Sequence, residues 1–103
     1  MFDSKRYMTN GVLNAIPVEI QMIIWAMIED LKTRIDTIDY LQIFELKPHC
    51  KDNSQPQQHI QHSQEKPPYK TEITIDFGNA PVKEKIYVID DHTHSTMLLA
   101  SEY

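Results

Sequence analysis

Apolar residues recur at Ile20, Ile23, Ile24, Met27, Ile28, Leu31 and Ile35. That three-and-four spacing places one side of an α-helix on a core. The pattern predicts a helix from Pro17 to about Arg34, ~27 Å long at 1.5 Å per residue. Pro17 suits a first helical position, because the N–H it lacks would go unpaired there. Glu19 then lies in the first turn, where the positive end of the helix dipole favours a carboxylate. Ile16 occupies the expected cap position and offers no capping oxygen. A second apolar set, Val18, Met22 and Trp25, lies roughly 120–180° around the same helix.

From Tyr40 onward the period shortens to two. Residues 40–46 (YLQIFEL) are rich in strand formers. Residues 69–77 (YKTEITIDF) alternate, with Tyr69, Thr71, Ile73, Ile75 and Phe77 on one face and Lys70, Glu72, Thr74 and Asp76 on the solvated one. Residues 57–63 (QQHIQHS) form a weaker, polar strand that suits an edge. Residues 85–90 (KIYVID) and 96–100 (TMLLA) form a terminal hairpin reversing through 91–95, and an extended piece near residues 7–9 adds a further edge. Polar residues 49–56, the EKPP turn at 65–68, and Gly78-Asn79 with Pro81 punctuate these runs. One helix followed by consecutive strands predicts an α+β fold: one main helix packed on a small, mostly antiparallel sheet of four to five strands. The chain of 103 residues is read as a single domain spanning 1–103.

Composition narrows the function classes. Ten basic against fifteen acidic residues give a net charge of −5. That balance argues against direct binding of DNA or RNA, which needs a basic face. Cys50 is the only cysteine, so no internal disulfide can form and a reducing compartment is expected. The first residues lack the apolar core of a secretory signal. The greasiest stretch, 20–28, is far shorter than the roughly 20 residues of a membrane span. A cytoplasmic location without membrane contact is expected.

Several stretches together resemble one family. They are Lys5-Arg6-Tyr7-Met8-Thr9, Ile16-Pro17 opening a helix that carries Trp25, Asp39 to Leu46, Gln64-Glu65 with Pro67 and Tyr69, Val88-Ile89-Asp90-Asp91, and Ser95 to Ala100. The family is the small bacterial one called domain of unknown function 960. The resemblance covers nearly the whole chain, with 49–62 least like the family pattern. It implies a small cytosolic protein of Gram-positive bacteria, often carried on phages, plasmids and other mobile elements. It implies no activity and supplies no catalytic residues.

The densest chemistry is IDDHTHSTML, residues 89–98, where Asp90, Asp91, His92, Thr93, His94 and Ser95 crowd together. A nucleophilic triad would have to assemble from neighbours on a predicted turn, whereas working triads converge from separate elements. Turn formation explains the same residue types more simply. A metal reading would draw on His49, Cys50, His59, His62, His92 and His94, but the paired spacing of structural zinc sites is missing. On a strand, His59 and His62 face opposite sides. With only Gly11 and Gly78, there is no phosphate-binding glycine loop and no nucleophile elbow. The chain is therefore expected to be no enzyme and to need no cofactor.

What remains is binding. Val18, Met22 and Trp25 either lie buried under residues 2–12 or form an apolar patch for a protein partner or a second copy of the chain. Glu29 extends that stripe, and Asp90 with Asp91 would give the terminal hairpin a protruding acidic tip. The expected function is that of an accessory or regulatory protein acting on a macromolecular partner. One alternative is an anti-CRISPR-like inhibitor, filling the nucleic-acid groove of a host defence nuclease by acidic mimicry. Another is a metal-stabilised domain or metal-dependent enzyme.

Overall fold

Helix α2 runs over Val18–Arg34, with Pro17 as its N-cap rather than its first helical residue. No side chain caps this end. Ile20, Ile24, Ile28 and Leu31 are buried along one stripe, as the spacing predicts. Each such side chain contributes about 1.5–3 kcal/mol by leaving water. Glu19 in the first turn and Lys32 and Arg34 in the last match the helix dipole.

The computed structural model of the chain describes residues 1–50, 55–76, 78 and 80–103. Phe77 and Asn79, assigned above to a strand and a turn, and 51–54 of the 49–56 loop lie outside the described residues. The strands are β1 (Lys5–Met8), β2 (Leu41–His49), β3 (Gln57–Gln64), β4 (Tyr69–Ile75), β5 (Glu84–Asp90) and β6 (His94–Leu99). A short helix α1 (Asn10–Ala15) precedes α2, and a 3-10 turn (Ala100–Glu102) follows β6. The strands form one six-stranded sheet in the order β1-β6-β5-β2-β3-β4. The fold is α+β, but the sheet has six strands, not four to five. It is also mixed: β1 runs parallel to β6, while the other neighbours pair antiparallel.

The polar strand β3 is not an edge. It pairs with β2 on one side and β4 on the other. Its inward side chains Gln58, Ile60, His62 and Gln64 are all buried. Composition misplaced it because buried glutamines can satisfy themselves within the fold, as they do here. The edges are β1 and β4.

The pleat sends alternate residues to two unlike faces. Phe44, Leu46, Ile60, Ile86, Val88 and Met97 face α2 and, with Phe2, Val12 and Ile16, close the core. The other face carries Leu41, Ile43, Tyr87, Ile89 and Leu98, all half-buried. Tyr103 folds back onto it, its ring edge-on to Tyr87 at 5.3 Å between centroids.

Candidate interaction surface

Residues 2–12 do not blanket the helix; they form β1 and the start of α1. Thr9 caps α1, its hydroxyl accepting from the Val12 N–H at 3.2 Å. The same hydroxyl donates to Glu102 Oε1 at 2.6 Å, and that oxygen also accepts from the Leu99 N–H at 2.8 Å. The Thr9 hydroxyl, then the Leu99 N–H, hold the Glu102 carboxyl below its usual range. Gly11 lies beneath it, and a Cβ there would meet the Glu102 carboxylate at 2.6 Å and push that side chain aside. The C-terminal turn and α1 are thus tied together.

β1 is clamped to α2 by a ladder of charges. Arg6 lies over the Trp25 ring, 4.7 Å from its centroid, and pairs with Glu29 at 2.5 Å. Lys32 joins Glu29 at 3.1 Å, Asp3 at 2.6 Å and the Phe2 carbonyl at 3.0 Å. Lys32 and the N-terminal amine hold the Asp3 carboxyl below its usual range. The clamp leaves the N-terminal half of α2 open. Val18 is 60% exposed and Met22 65%. Leu13 on α1 and Met8 on β1 stand beside them, 61% and 43% exposed. Met8, Leu13, Ile16, Pro17, Val18 and Gln21 enclose a cleft of about 360 Å³.

Bordering this cleft is the free side of β1. Because the Thr9 N–H bonds the Met97 carbonyl at 3.1 Å, alternation turns the backbone groups of Arg6 and Met8 away from β6. An exposed strand edge therefore adjoins an exposed apolar cleft. Of the residues singled out from sequence, Val18 lines the cleft, and Met22 is exposed one helical turn further along α2. Trp25 is half-buried, packed against the core, and capped by Arg6. Glu29 is in place but already paired. Met8 and Leu13 were missed, because neither belongs to a periodic run.

The hairpin tip differs from its expectation. Asp90 does not protrude: it is 5% exposed, on the helix-facing side of β5, opposite Ser95. It sits at an even position with Ile86 and Val88, so the pleat turns it inward. Replacing it by lysine would bury a charge rather than probe a surface. Only Asp91 is exposed, and it builds the turn. Its Oδ1 accepts from the N–H groups of Thr93 at 3.0 Å and His94 at 2.9 Å and from the Thr93 hydroxyl at 2.8 Å. These bonds, the His94 N–H first, hold the Asp91 carboxyl below its usual range. His92 takes a positive φ of 79° in the same turn. The reversing loop is three residues, 91–93, shorter than expected.

The histidines divide by face, as their spacing requires. His62 is fully buried, stacked on Phe44 with centroids 4.2 Å apart. Its Nε2 lies 2.7 Å from Gln42 Oε1. That contact makes Nε2 the donor, because an amide oxygen can only accept. Nδ1 is left as a bare, buried lone pair. Burial pushes the His62 pKa from 6.5 down to about 4, so it is neutral at pH 7. On the opposite face His59 Nε2 lies 3.4 Å from Glu72 Oε2, with the His49 ring 6.4 Å away between centroids. Among the described residues no group of three or more His, Cys, Asp or Glu side chains is arranged to hold a metal ion.

One main helix laid on a face of a mixed six-stranded sheet, with a short helix and an apolar cleft at one edge, defines a small α+β domain. Within that class the chain belongs to the family described as "Staphylococcal protein of unknown function (DUF960)", which matches residues 5–102. The crystal structure of a protein of unknown function from Enterococcus faecalis is similar, with a TM-score of 0.76 and 28% sequence identity. The match covers 98% of this chain and 92% of that one. Among curated proteins, none matches the chain. No helix among the described residues is long and apolar enough to cross a membrane.

Proposed function

We propose that this is a cytoplasmic accessory or regulatory protein without catalytic activity of its own, acting by binding a protein partner at the cleft beside β1. The observation that carries this reading is the run of exposed apolar side chains Met8, Leu13 and Val18 lining that cleft, continued by Met22 one helical turn beyond Val18. Large apolar side chains gathered at one place are unusual on a monomer and common at the centre of an interface. The neighbouring strand edge would let a partner add main-chain hydrogen bonds while its side chains enter the cleft. Acidic mimicry of nucleic acid draws no comparable support. Glu29 and Asp30 are paired with Arg6, Lys32 and Arg34, and Asp90 is buried.

The test is affinity capture from the native host, followed by reconstitution with the purified partner. Val18→Asp with Met22→Asp should abolish the complex, whereas Asp91→Ala should leave it intact. Affinity should change little between roughly 0.05 and 0.5 M salt, because apolar contacts are not screened. Binding that survives Val18→Asp with Met22→Asp, or that collapses with salt, would overturn the proposal.

A further inference from the structure

A second cavity lies away from the β1 cleft, at the opposite side of the sheet from α2. The β2–β5 ladder ends at Leu46↔Glu84, while β2 continues to His49 alongside β3. Where β5 no longer accompanies β2, a notch of about 520 Å³ opens, lined by Lys47, Lys83 and Lys85, by Glu45 and Glu84, and by Leu46 and Gln61. That volume falls within the range of small-molecule pockets, about 300–1,000 Å³.

The charge of this notch is opposite to that of the protein. Three of the chain's ten basic side chains line it, although the net charge is −5. Among the described residues three cations elsewhere, Arg6, Lys32 and Arg34, are bound to carboxylates. Lys47, Lys83 and Lys85 form no ion pair among the described residues, as is true of Lys5, Lys66 and Lys70 outside the notch, but only the first three share one concavity. Glu45 stands directly across the ladder from Lys85, yet its Oε2 accepts from Gln61 Nε2 at 3.2 Å. Lys85 lies instead over the Tyr87 ring, 5.8 Å from its centroid. Glu84 pairs with the buried Leu46, so the pleat turns its side chain towards the helix side. Of the two lining carboxylates, Glu45 and Glu84, only Glu45 lies on the outer face of the sheet with Lys47 and Lys85, and the three lysines outnumber the two.

We infer that this notch binds a small phosphate-bearing molecule. Several ammonium groups around one concavity match the multiple charged oxygens of a phosphoryl group, whereas a lone carboxylate would satisfy only one of them. The aliphatic stems of the lysines offer an apolar wall for the remainder of such a ligand.

The test titrates inorganic pyrophosphate and, separately, AMP into the full chain, by calorimetry and by amide chemical shifts. Saturable binding at low salt is expected, with the largest shifts at Lys47, Gln61 and Lys85. Lys47→Gln and Lys85→Gln should each weaken it about tenfold, the order expected for one lost charge-assisted bond. Glu45→Gln should tighten it severalfold by removing one of the two opposing charges. All three side chains are exposed, so unfolding midpoints should stay unchanged and keep the comparison clean. No saturation by either probe up to about 10 mM, or binding indifferent to the lysine substitutions, would overturn the inference.

Discussion

Two regions of this molecule reverse the ordinary distribution of side chains, in opposite senses. At the β1 edge, Met8, Leu13, Val18 and Met22 are apolar and exposed. On the helix-facing side of β2 and β3, Gln42, His62 and Gln64 are polar and buried. The difference lies in whether each region satisfies itself. Gln42 Nε2 donates to the Asp39 carbonyl at 2.8 Å and to Gln64 Oε1 at 2.9 Å. Gln64 Nε2 donates to the carbonyls of Thr37 at 3.2 Å and Pro67 at 2.9 Å, while its oxygen also accepts from the Asp39 N–H at 3.0 Å. The polar corner thus staples the chain leaving α2 to the β3–β4 turn and leaves little for a ligand. The apolar edge has no such internal partner. A buried polar cluster whose amides are satisfied, here all but the His62 Nδ1, serves stability, whereas exposed apolar surface points to a partner.

Breaking the polar corner should produce the largest change in stability. Gln64→Leu strands the Asp39 N–H and the Thr37 and Pro67 carbonyls, and a loss of about 3 kcal/mol is expected in urea unfolding. Almost as large is the pH effect of His62. Its pKa is 6.5 when unfolded and about 4 in the fold, so the folded state binds fewer protons between those values. The stability it contributes is full above pH 6.5 and drains as pH falls towards 4, by about 3 kcal/mol in all. Protonation would place an N–H on Nδ1, where no acceptor waits. His62→Gln keeps a donor for Gln42 and should flatten the pH dependence of the urea midpoint between pH 6.5 and 5. An unchanged slope would show that His62 is not the group responsible.

Asp91→Ala removes the carboxylate that organises the β5–β6 turn, and about 1 kcal/mol should be lost in thermal unfolding. Smallest in stability is Val18→Asp with Met22→Asp. Exposed sites of this kind change unfolding free energy by no more than about 0.5 kcal/mol. Its effect belongs to binding alone. A loss of more than about 2 kcal/mol would make these residues core and erase the contrast between the two regions.

Legibility from sequence followed periodicity. The helix was readable to within a residue at its start, because seven apolar positions repeat the same angular step. Its cap was misassigned by one residue, since Ile16 and Pro17 both lack a capping side chain. β4 was readable because Tyr69, Thr71, Ile73 and Ile75 alternate with the polar Lys70, Glu72 and Thr74. β3 was recognised as a strand but misplaced, because glutamine and histidine read as solvent-facing until their hydrogen-bond partners are known. Asp90 was misread for the same reason, its inward direction being set by the register that pairs it with Ser95. In the candidate surface, Val18, Met22, Trp25 and Glu29 were found as one helical stripe. Met8 and Leu13 join them only through the parallel pairing of β1 with β6 and the turn into α1, which no local pattern encodes.

The chain alone determined the class of the fold, the core face of α2, the acidic balance and the lack of an internal disulfide. Those properties follow from composition and from the periods of helix and strand, which are local. Tertiary structure decided the order of the strands, the direction of β1, which polar side chains are buried, and which apolar ones stay open. It also gathered Lys47, Lys83 and Lys85 around one notch in an acidic protein. Those outcomes depend on which residues distant along the chain come together, and so on register and packing rather than on any stretch read by itself.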